Sequence, residues 1–180
     1  MIVQPPDASS GSLPLVLLVD DNADTLEMYA IGLQYEGFEV AKASDAELAL
    51  LAVSAKRPDC IVADVRMPRM TGLEFRRVLS RSPETAHIPV IALTGFNAQV
   101  ELDTARAAGF ESVLLKPCLP ETLAREILRV LAASRAARGR AGDASARATQ
   151  VLAKAARLQA RNAELTRKHR EINRIEPSGD

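Results

Sequence analysis

The sequence predicts an α/β fold: a five-stranded parallel sheet, doubly wound by helices on both faces, plus a C-terminal helical tail. Three observations carry this expectation. Five short aliphatic runs alternate with five segments of helical periodicity, which calls for a parallel sheet covered on both faces. The first run, Leu15-Val16-Leu17-Leu18-Val19, is apolar at every position, as a strand buried on both sides must be. Four of the runs end in residues able to do chemistry: Asp20-Asp21, Asp64, Thr94 and Lys116.

Residues 1–13 are rich in Pro, Ser and Gly and read as a disordered lead. Pro14 precedes the first strand, 15–20. Asn22-Ala-Asp-Thr opens a helix with acids in its first turn, where the macrodipole favours them. Leu26, Tyr29, Ala30 and Leu33 keep helical spacing, and Gly37 stops it. Phe38-Glu-Val-Ala is a short second strand. Ser44 or Asp45 caps a second helix whose apolar side is Ala46, Leu48, Ala49 and Leu50, with Pro58 just beyond its end.

Residues 59–64 form the third strand, and Asp64 sits at its carboxyl end. Gly72 begins a third helix with Leu73, Phe75, Val78 and Leu79 as its apolar side. A polar loop over 80–87 leads to a fourth strand over 88–94, where Pro89 is tolerable near the start. A helix over 97–108 ends at Gly109, and 111–116 is the fifth strand. Pro120-Glu-Thr opens the fifth helix, with Leu123, Ile127, Leu128, Val130 and Leu131 apolar. The common five-strand order, 2-1-3-4-5, has its switch point between strands one and three, so it gathers Asp20, Asp21 and Asp64 in one crevice.

Composition bounds the rest. Of 180 residues 47% are hydrophobic but only 3% aromatic, with no Trp, so the core must be aliphatic. The formal net charge of +0 is unevenly spread. Residues 1–131 hold 12 Lys+Arg against 18 Asp+Glu, a balance of −6, and residues 132–180 hold 11 against 5, a balance of +6. An acidic body therefore carries a basic tail. Two Cys do not make a disulfide scaffold: Cys60 lies inside a strand, and nothing near Cys118 suggests a catalytic thiol. No run reaches the length of a membrane span, and no basic-then-apolar leader opens the chain. A cytoplasmic protein with reduced thiols and no membrane partner is expected.

Three ionised carboxylates in one crevice repel one another unless protons or a cation offset them. Oxygen-only ligands of high charge suit a hard ion, and few dedicated ligands suit Mg²⁺. With the metal in place, one carboxylate can attack phosphorus and form an aspartyl-phosphate. Lys116 and Thr94 supply a charge and a hydroxyl for the phosphoryl oxygens. The plainer reading of Asp20-Asp21-Asn22 is a helix cap with dipole-favoured acids, of Lys116 a surface lysine, and of Thr94 a loop residue. Agreement at four separate strand ends favours the chemical reading. Haloacid-dehalogenase-type phosphatases need two acids one residue apart after the first strand, and here Asp20 and Asp21 are adjacent. A flavin site needs a phosphate cradle there, which an acidic pair would repel.

With these residues in place, the segment from about 14 to 133 resembles the receiver domains of two-component response regulators, whose sheet has the flavodoxin-like order 2-1-3-4-5. The resemblance rests on Leu-Leu-Val-Asp20-Asp21-Asn22, Asp64-Val-Arg-Met-Pro68 with Thr71-Gly72, Ala-Leu-Thr94-Gly95, and Lys116-Pro117. It implies that Asp64 is the phospho-acceptor and that Asp21 is the main metal carboxylate, with Asp20 helping mostly through water. It also implies that the Arg66 backbone carbonyl completes the protein's share of the Mg²⁺ shell, that Thr94 is the switch hydroxyl, and that Lys116 pairs with the phosphoryl group. A cis Lys116-Pro117 bond belongs to the same pattern. The family's second switch residue is an aromatic three positions before the lysine. Here that position is Val113, for which Phe96 or Phe110 would have to substitute, and Cys118 stands where the family often has Phe.

Ser134–Arg147 reads as a linker or a frayed continuation of the fifth helix, with the linker or helix continuation bounded at 134–144 before the tail. From about 145 to 176 helix formers dominate. Val151, Leu158, Leu165 and Ile172 recur every seven residues, with Ala155, Asn162 and His169 at the other seam position. That pattern fits a coiled coil and a homodimer, with a lone solvated helix as the plainer reading. A basic arm for nucleic acid ranks last, because no helix-turn-helix pattern or stacking aromatic accompanies it. The expected function is a phosphorylation-dependent switch whose partner is a histidine kinase or phosphotransfer protein. A DNA-binding regulator and a receiver that no longer switches are the alternatives. No metabolic turnover is expected beyond self-phosphotransfer and slow autodephosphorylation.

Overall fold

The structure, a computed structural model, describes residues 13–95 and 98–140. The chain divides into two units, Met1–Ser134 and Arg135–Asp180, and the sheet belongs to the first. Its elements are β1 (Leu15–Val19), α1 (Ala23–Tyr35), β2 (Glu39–Ala43), α2 (Ala46–Ala55), β3 (Cys60–Asp64), α3 (Gly72–Arg81), β4 (Val90–Thr94), α4 (Ala98–Ala107) and β5 (Ser112–Leu115). A further helix, α5, covers residues 120–140. All strand pairs are parallel, in the order β2-β1-β3-β4-β5. The expected fold class and strand order are those observed.

Two aliphatic layers flank the sheet. One joins Val16, Leu18, Val62, Ile91 and Leu93 to Leu26, Tyr29 and Leu33 of α1 and Leu123 and Ile127 of α5. The other joins Leu17, Ile61, Ala63, Val90 and Ala92 to Ala49 and Val53 of α2, Phe75 and Leu79 of α3, and Ala105 of α4. Alternate residues of each central strand face opposite layers, so β1, β3 and β4 must be apolar up to the carboxyl ends, where Asp64 and Thr94 stand. The ends of the elements follow local chemistry. Asn22 caps α1 by accepting from the Thr25 N–H, and Asp45 caps α2 by accepting from the Leu48 N–H. Gly37 and Gly109, with φ of 90° and 88°, let the chain leave α1 and α4 through left-handed turns.

Two helix faces differ from the periodicity. In α2 the buried residues are Ala46, Ala49 and Val53, whereas Leu48 is 47% exposed. The run AELALLAVSA is apolar on every side, so spacing could not choose its inner face. In α3, Val78 is 36% exposed and Arg76 is buried instead. The Arg76 guanidinium reaches the Gly109 carbonyl at 2.8 Å and the Ser80 Oγ at 2.9 Å, and lies 3.7 Å from Glu111. Satisfied in this way, its apolar stem packs like a core residue. Among the described residues no helix is long and apolar enough to cross a membrane. The heptad positions Val151 to Ile172, and Phe96, lie outside the described residues.

Candidate functional site

The carboxyl ends of β1, β3 and β4 and the residue after β5 converge on one crevice. Asp20 follows β1 directly and is 4% exposed. Its Oδ1 accepts from the Asn22 N–H at 3.0 Å, so the turn into α1 also orients the carboxylate. Asp21 is exposed beside it. Asp64 ends β3, and its Oδ1 accepts from the Arg66 N–H at 3.0 Å. Carboxylate oxygens of Asp20, Asp21 and Asp64 all lie within 4.8 Å of one another.

Lys116 enters from the far edge of the sheet. Its backbone N–H donates to the Thr94 carbonyl at 2.7 Å, which extends the β4–β5 pairing by one step. Its ammonium reaches Asp20 Oδ2 at 2.5 Å and Asp64 Oδ2 at 2.7 Å. Burial pulls the ammonium's pKa down, but the hydrogen bonds it donates to Asp20 and Asp64 outweigh that, and the net shift is upward from 10.5. A raised folded value stabilises the fold at every pH below the ordinary one and loses that effect only as alkali titrates the folded group. Lys116 is therefore a fixed cation in any neutral assay.

The crevice can hold a metal. Three carboxylates and one ammonium leave a formal charge of −2 around all-oxygen ligands, a fit for a hard divalent cation rather than a soft one. Thr94, the last residue of β4, is fully buried. Arg66 sits exposed on the loop after Asp64, with its backbone N–H committed to the Asp64 carboxylate. Of the expected group, Asp20, Asp21, Asp64 and Lys116 meet directly, and Thr94 lies one strand from Asp64. The Lys116–Pro117 peptide is cis. Val113 is half-buried against the α2–α3–α4 layer, and Phe110 is a core residue of the same layer.

Three supports of the site were not read from the sequence. Thr71 and Glu74 form a capping box that starts α3: Glu74 accepts from the Thr71 N–H at 2.9 Å, and the Thr71 Oγ1 accepts from the Glu74 N–H at 3.3 Å. Those bonds from Thr71 hold the Glu74 carboxyl below its ordinary range. The spacing Thr-x-x-Glu was the available signal. Arg69, in the left-handed region at φ 67°, pairs with Asp45 at 2.6 Å and ties the loop after β3 to the start of α2. The third support is Tyr29, whose hydroxyl reaches the turn after Lys116.

A doubly wound sheet with a carboxylate cluster at its switch point and a lysine closing it defines a class of phosphoryl-accepting signalling domains. The family model for the response regulator receiver domain matches residues 16–128, and the chain belongs to that family. It is similar to the DNA-binding response regulator MtrA of Mycobacterium tuberculosis, with 33% identity over 112 residues, 62% of this chain and 48% of that protein. The phosphate regulon transcriptional regulatory protein PhoB of Pseudomonas aeruginosa is 31% identical over 116 residues, 64% of this chain and 51% of the relative. The chain thus spans about half the length of these curated relatives. Among solved structures, the Vibrio cholerae chemotaxis protein CheY4 aligns at a TM-score of 0.63 and 34% identity, covering 66% of this chain and 99% of that one.

Proposed function

We propose that Asp64 accepts a phosphoryl group from a phosphohistidine on a histidine kinase or phosphotransfer protein, and that the phosphorylated domain signals through protein contacts. The observation that carries this reading is the Lys116 ammonium, 2.7 Å from Asp64 and 2.5 Å from Asp20, inside a three-carboxylate cluster. A carboxylate oxygen of Asp64 attacks phosphorus, the P–N bond to the imidazole breaks, and the imidazole nitrogen leaves with the electron pair. Lys116 balances charge on the phosphoryl oxygens, and the Thr94 hydroxyl donates to another of them. Asp21, Asp20, Asp64 and the Arg66 carbonyl would hold Mg²⁺, which supplies neutralisation of phosphoryl charge when bound. Attack by water on phosphorus later breaks the P–O bond, restoring the carboxylate and releasing phosphate. Labelling by a small phosphodonor with Mg²⁺, read as one phosphoryl increment in intact mass, tests the reading.

Lys116 offers a full charge and Thr94 a neutral hydrogen bond, and charge-assisted bonds are roughly twice as strong. Lys116→Ala should therefore slow labelling, or weaken the conformational response, more than Thr94→Ala does. Equal behaviour of the two variants in both measurements would refute that ranking.

We place the receiver at 14–133, a linker or helix continuation at 134–144, and a dimerising helical tail at 145–176. Leu158 and Leu165 are central to its heptad seam, and Asn162 favours two in-register strands. Leu158→Asp with Leu165→Asp should leave the receiver folded and abolish a dimer in sedimentation equilibrium. A wild-type monomer at high micromolar concentration, or a dimer that survives the double substitution, removes the coiled coil. The name of MtrA includes DNA binding, which favours a second reading in which the basic tail contacts nucleic acid. A gel shift at graded salt, with and without residues 141–180, tests it.

A further inference from the structure

We propose that Tyr29 is a positioning residue for phosphoryl transfer, its hydroxyl holding the turn that aims Lys116; this rests on the reading of Asp64 as acceptor. Lys116 leaves β5 with its backbone N–H fixed to the Thr94 carbonyl, and its ammonium must then meet two carboxylates on other strands. The next residue, Pro117, has no N–H to donate. Cys118 follows, and here α1 intervenes. The Tyr29 hydroxyl donates to the Cys118 carbonyl at 3.1 Å, accepts from the Cys118 N–H at 3.4 Å, and lies 3.4 Å from the Cys118 Sγ. One hydroxyl thus contacts both backbone groups of the residue two places after Lys116.

The tyrosine is suited to this task. Its residue is 2% exposed and its ring is part of the α1–α5 layer, so the hydroxyl has little freedom to move. Burial, then Cys118, pushes its pKa up to about 12, which keeps it a donor at every assay pH. Tyr29 touches neither the acceptor nor the reacting atoms, so it acts through Lys116. The turn is held from two sides, by β4 through Thr94 and by α1 through Tyr29.

Tyr29→Phe removes the hydroxyl and keeps the ring, so the layer should stay packed. The experiment measures two quantities in wild type, Tyr29→Phe and Asp64→Asn. The first is the rate of Mg²⁺-dependent phosphorylation by acetyl phosphate. The second is the rate at which an amine-reactive ester modifies Lys116, read by peptide mass spectrometry, with Lys42 and Lys56 as internal references. Tyr29→Phe should phosphorylate about fivefold more slowly, roughly the effect of losing its shorter bond, to the Cys118 carbonyl. Its Lys116 should label faster by a similar factor relative to the reference lysines. Phosphorylation at the wild-type rate overturns the assignment, and so does slowed phosphorylation with Lys116 labelling unchanged. If Asp64→Asn is phosphorylated as well as wild type, the acceptor reading fails instead, and the Lys116 labelling then judges the Tyr29 contact by itself.

Discussion

Replacing Asp64 by Asn should abolish Mg²⁺-dependent phosphorylation while the domain keeps its fold. The amide has nearly the same shape, and its oxygen can still accept from the Arg66 N–H that now donates to Asp64 Oδ1. It cannot act as a nucleophile on phosphorus, because the amide lacks the carboxylate's free charge. The substitution also removes one of three carboxylates whose oxygens crowd within 4.8 Å. Lys116 keeps its contact with Asp20, so no buried cation is left alone. Like-charge relief therefore offsets the lost ion pair, and the melting temperature should move by only a few degrees (about 1 kcal/mol). Intact mass after incubation with a phosphodonor decides the chemistry. An Asn variant that gains the phosphoryl increment as fully as wild type would place the acceptor elsewhere.

The central strands and the carboxylate site were legible because topology fixes them. A strand buried on both faces has to be apolar throughout, so Leu15–Val19 and Cys60–Ala63 announce themselves, and the first polar residue after each marks its carboxyl end. Strand order then brings Asp20, Asp21 and Asp64 together without any knowledge of side-chain geometry. The helix faces were less legible. Periodicity works in α1, where Leu26, Tyr29, Ala30 and Leu33 are the buried set, and fails in α2, where every side is apolar. Arg76 was hidden for a different reason: a buried arginine depends on acceptors at Gly109 and Ser80 that only the tertiary structure assembles. The Tyr29–Cys118 contact joins residues 89 positions apart, and no local pattern predicts it.

The departure at Val113 is legible in the sequence, but its consequence is not. Val113 sits in register with Ala92 on the edge strand, two places from the Thr94–Leu115 pair. A valine there packs against the layer beneath and offers no ring to swing between solvent and core. Phe110 cannot serve as a mobile substitute while it is 6% exposed inside that layer. The Thr94 carbonyl accepts from the Lys116 N–H at 2.7 Å, so the end of β4 is joined through the backbone to the Lys116 turn. The Tyr29 tether holds the same turn.

Gly72→Ala should be among the most damaging single-methyl changes in the domain, lowering both stability and phosphorylation. Gly72 is the first residue of α3, and its N–H donates to the Val65 carbonyl at 3.0 Å, folding the loop after Asp64 tightly back on itself. A Cβ there would fall 2.1 Å from the Asp64 carbonyl oxygen and 3.0 Å from both the Asp64 carbonyl carbon and the Val65 Cα. All three are backbone atoms at and just after the end of the acceptor strand, so no side chain can rotate away. Alanine's helix propensity returns at most about 1 kcal/mol. Overpacking costs typically about 1–3 kcal/mol, and a rigid neighbour puts this site at the upper end or beyond. The expected net loss is about 2 kcal/mol, or roughly 6–12 °C in melting temperature for a domain of this size. Relief of the clash must move the Asp64 carbonyl, and with it the carboxylate that Lys116 meets at 2.7 Å, so the variant that remains folded should also phosphorylate more slowly. Gly139 supplies the contrast: it is helical and a Cβ there meets nothing within 4 Å, so Gly139→Ala should cost no stability. Thermal melts of the two variants beside wild type settle the matter. A Gly72→Ala protein that melts at or above the wild-type temperature would show that α3 can draw back from the strand end without cost, and the tight seating of Asp64 would lose its physical basis.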